Sequence, residues 1–136
     1  METLALALAA TAFGAMAFFS FAVAPLVFVK VPEADAGRFV RALFPVYYAG
    51  GAALTLVAGV LAGGHWAGWL LLATGVGFVL LRQVAMPAIN RARDASLAAG
   101  AAAGRRFDRL HRMSVWANTA QLVGLFTALV GLGRSV

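Results

Sequence analysis

The chain has 136 residues, 62% of them hydrophobic and only 12% charged, with a mean hydropathy of +0.88. A soluble domain carries about a quarter charged residues, so a water-soluble fold is excluded and one membrane-embedded domain over 1–136 is expected. The absence of cysteine excludes disulfides and thiolate metal sites. The net charge of +6 does not indicate nucleic-acid binding, because nearly all the basic residues fall in two connecting stretches, as expected on one side of a bilayer.

A first span is expected from Leu4 to Val29, long enough to cross a hydrocarbon core of about 30 Å at about 1.5 Å per residue. A secretory signal fits this run poorly, since it opens Met1-Glu2 without a basic stretch and the apolar run is long. Gly14 and Ala15 are candidates for close helix approach, and Pro25 should kink the helix or free a carbonyl. The link from Lys30 to Arg41 reads as a short interfacial helix. Pro32 suits its first turn, and Glu33 and Asp35 suit its positive end. Span two is expected from Phe44 to Ala62, with Pro45 breaking its start and Tyr47 and Tyr48 in an aromatic belt at the headgroups. Gly50, Gly51 and Gly59 read as close-packing positions.

Gly63-Gly64-His65-Trp66 makes a tight turn, with His65 at the surface and Trp66 and Trp69 as interface anchors. Span three is expected from Trp66 to Ile89. Its Arg82 either snorkels to the headgroups or pairs inward, and Met86-Pro87 should end or bend the helix. The third link, Asn90 to Arg109, is the most basic stretch. Asp94 is a candidate N-cap for a helical extension running through Ala95 to Ala103. Span four is expected from Leu110 to Leu132.

Counting charges sets the expected topology. Lys30, Arg38 and Arg41 lie in the first link. Arg91, Arg93, Arg105, Arg106, Arg109 and Arg112 lie in or just beyond the third. The middle turn has none, so both links face the cytoplasm and both termini the opposite side of a bacterial-type inner membrane. The halves also resemble each other. Ala24-Pro25 parallels Met86-Pro87, and Arg38-Phe39-x-Arg41 parallels Arg106-Phe107-x-Arg109. Two parallel helix-hairpin repeats would produce this, giving four transmembrane helices in an all-α bundle.

The second half carries something the first lacks. His111, Ser114, Asn118 and Gln121 fall within an arc of roughly 80° at about 100° per residue. Leu43, Val46, Gly50 and Ala53 hold the corresponding places in the first half. Lipid penalises such a face, so it should turn toward neighbouring helices or a small cavity. Arg82 and Asn90 would stand near its cytoplasmic mouth. Asp108 is placed to orient His111 one turn away. The acids Glu2, Glu33, Asp35, Asp94 and Asp108 all lie outside the hydrocarbon, so no buried carboxylate pair is available to shuttle protons. No phosphate-cradling Gly-Lys motif, nucleophile elbow or His-Glu-x-x-His is present, and an enzyme is not the expected class.

Phe18-Phe19-Ser20-Phe21, Ala24-Pro25-x-x-Phe28, Leu43-Phe44-Pro45-x-Tyr47-Tyr48, Pro87-x-Ile89-Asn90 and Leu110-His111-x-x-Ser114-x-x-x-Asn118 together resemble the transmembrane protein 205-like family of small membrane proteins, which share a domain of unknown function. The resemblance implies a membrane location and points to Pro25, Phe28, Phe44, Pro45, Tyr47, Pro87, Asn90, His111, Ser114 and Asn118. A more distant resemblance runs to copper-resistance membrane proteins and to haem-binding protoporphyrinogen oxidases. Three functions are therefore expected candidates. One is permeation of a small solute or metal ion along span four, which a homo-oligomer would widen. The second is an assembly or scaffold role in the lipid bilayer. The third is a redox protein with haem or copper on His111, partnered by Met16, Met86 or Met113.

Overall fold

The structure, a computed structural model, describes residues 1–99 and 101–135; the side chains of residues 101–103 are outside that description. The helices are α1 (Glu2–Phe18), α2 (Ala24–Lys30), α3 (Glu33–Leu61), α4 (Trp66–Leu80), α5 (Met86–Ala99) and α6 (Ala101–Gly133). Two five-residue π turns, Phe19–Val23 and Leu81–Ala85, join α1 to α2 and α4 to α5 without a break. Four continuous helices of membrane length and apolarity result: Glu2–Lys30, Glu33–Leu61, Trp66–Ala99 and Gly104–Gly133.

The prolines explain the π turns and correct three expectations. Pro25 offers no N–H to the carbonyl of Phe21, and Pro87 none to that of Gln83; each ring also presses on that carbonyl. In both places the turn ending two residues earlier widens to π geometry and the helix continues. Of the two expectations for Met86-Pro87, an end or a bend, the end is excluded, because the helix runs on to Ala99. Pro45 does not break the start of span two either, because α3 passes through it from Glu33 to Leu61. Asp94 is consequently an interior residue of α5 and caps nothing. The Ala95 to Ala103 run reaches residues outside the description.

The first connection is shorter than expected. Only Val31 and Pro32 separate α2 from α3, with Val31 extended at φ −105°, ψ 135°, as a residue before proline prefers. Every helix overshoots its expected span at the Lys30, Glu33, Ala99 and Gly104 end, called here the basic end. Hydropathy excludes charged residues there, yet Arg and Ala are good helix formers and keep the turns going. Ion pairs cross that end: Arg41 to Asp94 at 2.7 Å and Arg93 to Glu33 at 3.3 Å join α3 and α5, and Arg38 pairs with Asp35 within α3. Arg93 also lies over the Phe107 ring, 5.5 Å from its centroid, tying α5 to α6.

Four helices close into a ring. α1 packs on α3 and α6, and α4 packs on the same two from the other side, while α5 lies along α6. The buried stripe of α1 is Ala5, Ala9, Ala12 and Met16, a helical spacing of small side chains. It replaces Gly14 and Ala15 as the contact, since both are exposed and a Cβ on Gly14 would meet nothing within 4 Å. α3 and α4 meet backbone to backbone at Gly59 and Gly68, where a Cβ on either would stand 2.9–3.0 Å from the other's carbonyl oxygen. Gly63 turns the chain between them at φ +61°, a conformation few other residues accept. The outer surface is apolar: Phe21 is 75%, Val60 70% and Trp69 67% exposed. An apolar surface on this scale, around four membrane-length helices, is stable only in lipid.

Candidate functional site

The interior polar groups sit where α3, α4 and α6 meet. On α3 the inward stripe runs Tyr48, Ala52, Thr55 and Gly59, spaced four, three and four. Tyr48 is 3% exposed and Tyr47 half-buried. Their rings join Phe19, Phe44 and Phe78 in one aromatic cluster, with centroid separations of 4.8–6.2 Å. The expected aromatic belt at the headgroups is thus corrected for both tyrosines. The signal in the sequence was the small and polar residues following Tyr48 at helical spacing, which mark the packed face.

α6 answers this cluster with two carboxamides. Nδ2 of Asn118 donates to the Ser114 carbonyl at 2.9 Å and to the Tyr48 hydroxyl oxygen at 3.3 Å. One turn further along, Nε2 of Gln121 donates to the Thr74 carbonyl of α4 at 3.2 Å. Gln121 is 8% exposed. Among the described residues three buried polar atoms are left without a partner: Oη of Tyr47, Oδ1 of Asn118 and Oε1 of Gln121. Turning the Asn118 carboxamide over would offer Oδ1 the Tyr48 hydroxyl, but would also set it 2.9 Å from the Ser114 carbonyl oxygen, where two acceptors repel. The unpaired oxygen is therefore a property of the packing. An unsatisfied buried polar group costs about 1–3 kcal/mol, so each of the three would gain by meeting water or a small polar guest.

A second polar feature lies nearer the basic end. Arg82, inside the π turn Leu81–Ala85, donates Nε to the Pro45 carbonyl across the α3 interface at 3.1 Å. It lines a pocket of ≈ 240 Å³ with Pro45, Gln83, Met86, Pro87 and Asn90. The Asn90 carbonyl accepts from Arg41 at 3.5 Å. Arg82 and Asn90, expected together at the mouth of the span-four face, share this pocket with Pro45 and Pro87 and with no residue of α6.

The remaining sequence candidates are less gathered. Ser114 is half-buried and donates to the His111 carbonyl at 2.7 Å. His111 is exposed beyond the packed core, its ring stacked on Phe107 at 5.8 Å. Among the described residues no hydrogen bond or ion pair joins it to Asp108, so the expected orienting contact is absent. Phe44 belongs to the aromatic cluster, whereas Phe28 and Pro25 face outward, Phe28 at 60% exposure. His65 caps α4, its Nδ1 accepting from the Ala67 N–H at 3.2 Å. Among the described residues no three His, Asp or Glu side chains gather as metal ligands. Met113 follows His111 by two positions and so leaves the opposite side of α6. The surroundings of His111 do not fit a haem or copper pocket.

These features define a multi-pass, all-helical membrane protein with an uncharged polar junction inside it. Residues 7–98 match the model of a family described as a domain of unknown function (DUF4149), and the chain belongs to that family. No curated protein matches the chain, and no solved structure does. The match takes in the tyrosines and the Arg82 pocket and stops before α6.

Proposed function

We propose that the protein passes a small, uncharged, polar solute through the membrane, by way of the junction between Tyr47, Tyr48, Asn118 and Gln121. The observation that carries this reading is the set of three buried oxygens without partners in an otherwise apolar bundle. They combine a hydroxyl that donates with two amide oxygens that accept, a pattern matched by a solute with both functions. No charged side chain belongs to the junction, which favours neutral cargo over an ion. His111 and Ser114 extend the same α6 face toward the basic end. The half-resemblance of the chain supports a two-repeat carrier: each half has a π turn immediately before its Ala24-Pro25 or Met86-Pro87 step. One ring of four helices is narrow, and a second copy would widen the path. The basic end, by its arginines, faces the cytoplasm of an inner membrane. The resemblance to the transmembrane protein 205-like family fits this reading of a small membrane protein but names no cargo.

The test is solute-driven swelling of proteoliposomes with urea, glycerol and similar neutral solutes. Wild type should swell faster than empty vesicles, and Asn118→Leu and Gln121→Leu should remove the excess. Equal rates for all of them would contradict permeation. The second reading, an assembly scaffold, is favoured by the contacts of Asn118 with Tyr48 and of Gln121 with Thr74, each of which joins two helices. On that reading the same variants loosen the bundle and leave vesicle permeability at the empty-vesicle level.

A further inference from the structure

We infer that the pocket around Arg82 holds the phosphodiester of a membrane phospholipid. The inference does not rest on the permeation reading. Arg82 and Pro45 each lie 16 residues from the α3–α4 turn, counted from Trp66 and to Leu61. At about 1.5 Å per residue both sit about 24 Å from that turn, inside a hydrocarbon core of about 30 Å. A guanidinium there needs a polar partner, and the structure supplies one bond only, from Nε to the Pro45 carbonyl. That bond fixes the plane of the group and leaves its four terminal N–H donors without a protein acceptor among the described residues.

The nearest competing charges cancel elsewhere. Arg41 beside the pocket is held by Asp94, and no carboxylate lines the pocket, so Arg82 gives it a net positive charge. The side chains of Gln83 and Asn90 add uncharged hydrogen-bonding groups at its edge, while Pro45, Met86 and Pro87 form apolar walls. A fixed guanidinium fork, carboxamides and apolar walls suit a phosphodiester with acyl chains attached, because the fork meets two phosphate oxygens and the chains lie along the outer surface. The volume of ≈ 240 Å³ admits the phosphate and glycerol portion and leaves the chains outside.

The experiment is native mass spectrometry of the protein released from nanodiscs of phosphatidylglycerol. Wild type should retain lipid, and Arg82→Gln should retain about tenfold less, the scale of a lost charge-assisted pair. Asn90→Asp, which brings a carboxylate to the pocket edge without removing the arginine, should reduce retention in the same way. Arg112→Gln, at an exposed cation of the same end, should match wild type. Equal loss from Arg112→Gln and Arg82→Gln would reduce the effect to general attraction between cations and anionic lipid and overturn the site. Full retention in both Arg82→Gln and Asn90→Asp overturns it also. Inorganic phosphate separates the two sources of the same chemistry: failure to displace the lipid supports the phospholipid, and displacement at equal occupancy assigns the pocket to a free anion instead.

Discussion

Removing a hydroxyl without a protein partner and removing a paired one should have different effects, and two adjacent tyrosines allow the comparison. Among the described residues the buried Oη of Tyr47 has no hydrogen-bond partner, whereas Oη of Tyr48 accepts from Asn118. Tyr47→Phe should therefore leave stability in detergent within about 0.5 kcal/mol of wild type, since no bond between helices is lost and the water that meets the hydroxyl is released with it. Tyr48→Phe should lower it by about 0.6 kcal/mol, the average for a hydrogen bond between membrane helices. Chemical denaturation in mixed micelles reads both; a Tyr47→Phe that destabilises more than Tyr48→Phe would mean that the first hydroxyl bonds to another helix. Gln121→Leu, of similar size, should cost about 0.6 kcal/mol through its lost bond to Thr74. The carboxamides were legible in the sequence because amides are rare in such apolar company and repeat at helical spacing. The tyrosines were misread because a Tyr near a span end fits both a headgroup belt and a packed face. Only the ring contacts with Phe19, Phe44 and Phe78 decide between them.

At the scale of elements, glycines near one another on α3 should behave differently. Gly59→Val would drive side-chain atoms against the Gly68 carbonyl and Leu72 and should cost about 1–3 kcal/mol, the range for overpacking. Gly50→Val, with nothing within 4 Å of its Cβ position, should stay within about 0.5 kcal/mol of wild type. Unfolding midpoints of the two variants make the check, and equal losses would remove the close α3–α4 approach. Four spans were readable from hydropathy alone. Their ends were not, because hydropathy stops at the first arginines, whereas helical hydrogen bonding does not. The prolines misled for a related reason: a missing N–H breaks one bond, and a widened turn re-registers the rest at Phe19–Val23 and Leu81–Ala85. Pro87→Ala restores that N–H. It should return residues 81–85 to ordinary α geometry, visible as a changed orientation of Arg82 relative to Pro45 in an experimental structure.

For the molecule as a whole, charge placement and interior chemistry make separate predictions. The chain has no cysteine, so single cysteines report orientation cleanly. Gly104→Cys at the basic end should resist a membrane-impermeant maleimide in intact cells, and Gly64→Cys in the opposite turn should react; the reverse pattern would invert the topology. The polar character of α6 was legible as four polar residues at helical spacing, His111, Ser114, Asn118 and Gln121. What the sequence could not give was the depth of each. Gln121 is buried where α4 meets α6, whereas His111, ten residues nearer the basic end, is exposed although α5 runs alongside that part of α6.

The oxygens left unpaired at Tyr47, Asn118 and Gln121 should be met by water or a polar guest. The chain has only two asparagines and two glutamines, so side-chain ¹⁵N labelling gives four carboxamides: Gln83, Asn90, Asn118 and Gln121. Water-edited solid-state NMR in lipid bilayers measures how quickly each receives magnetisation from water. Asn118 and Gln121 should build up as fast as Asn90 at the basic end, and Gln121→Leu should slow Asn118. Build-up at both interior amides as slow as at the buried backbone of Ala9 or Leu71 would show a dry junction and contradict the account.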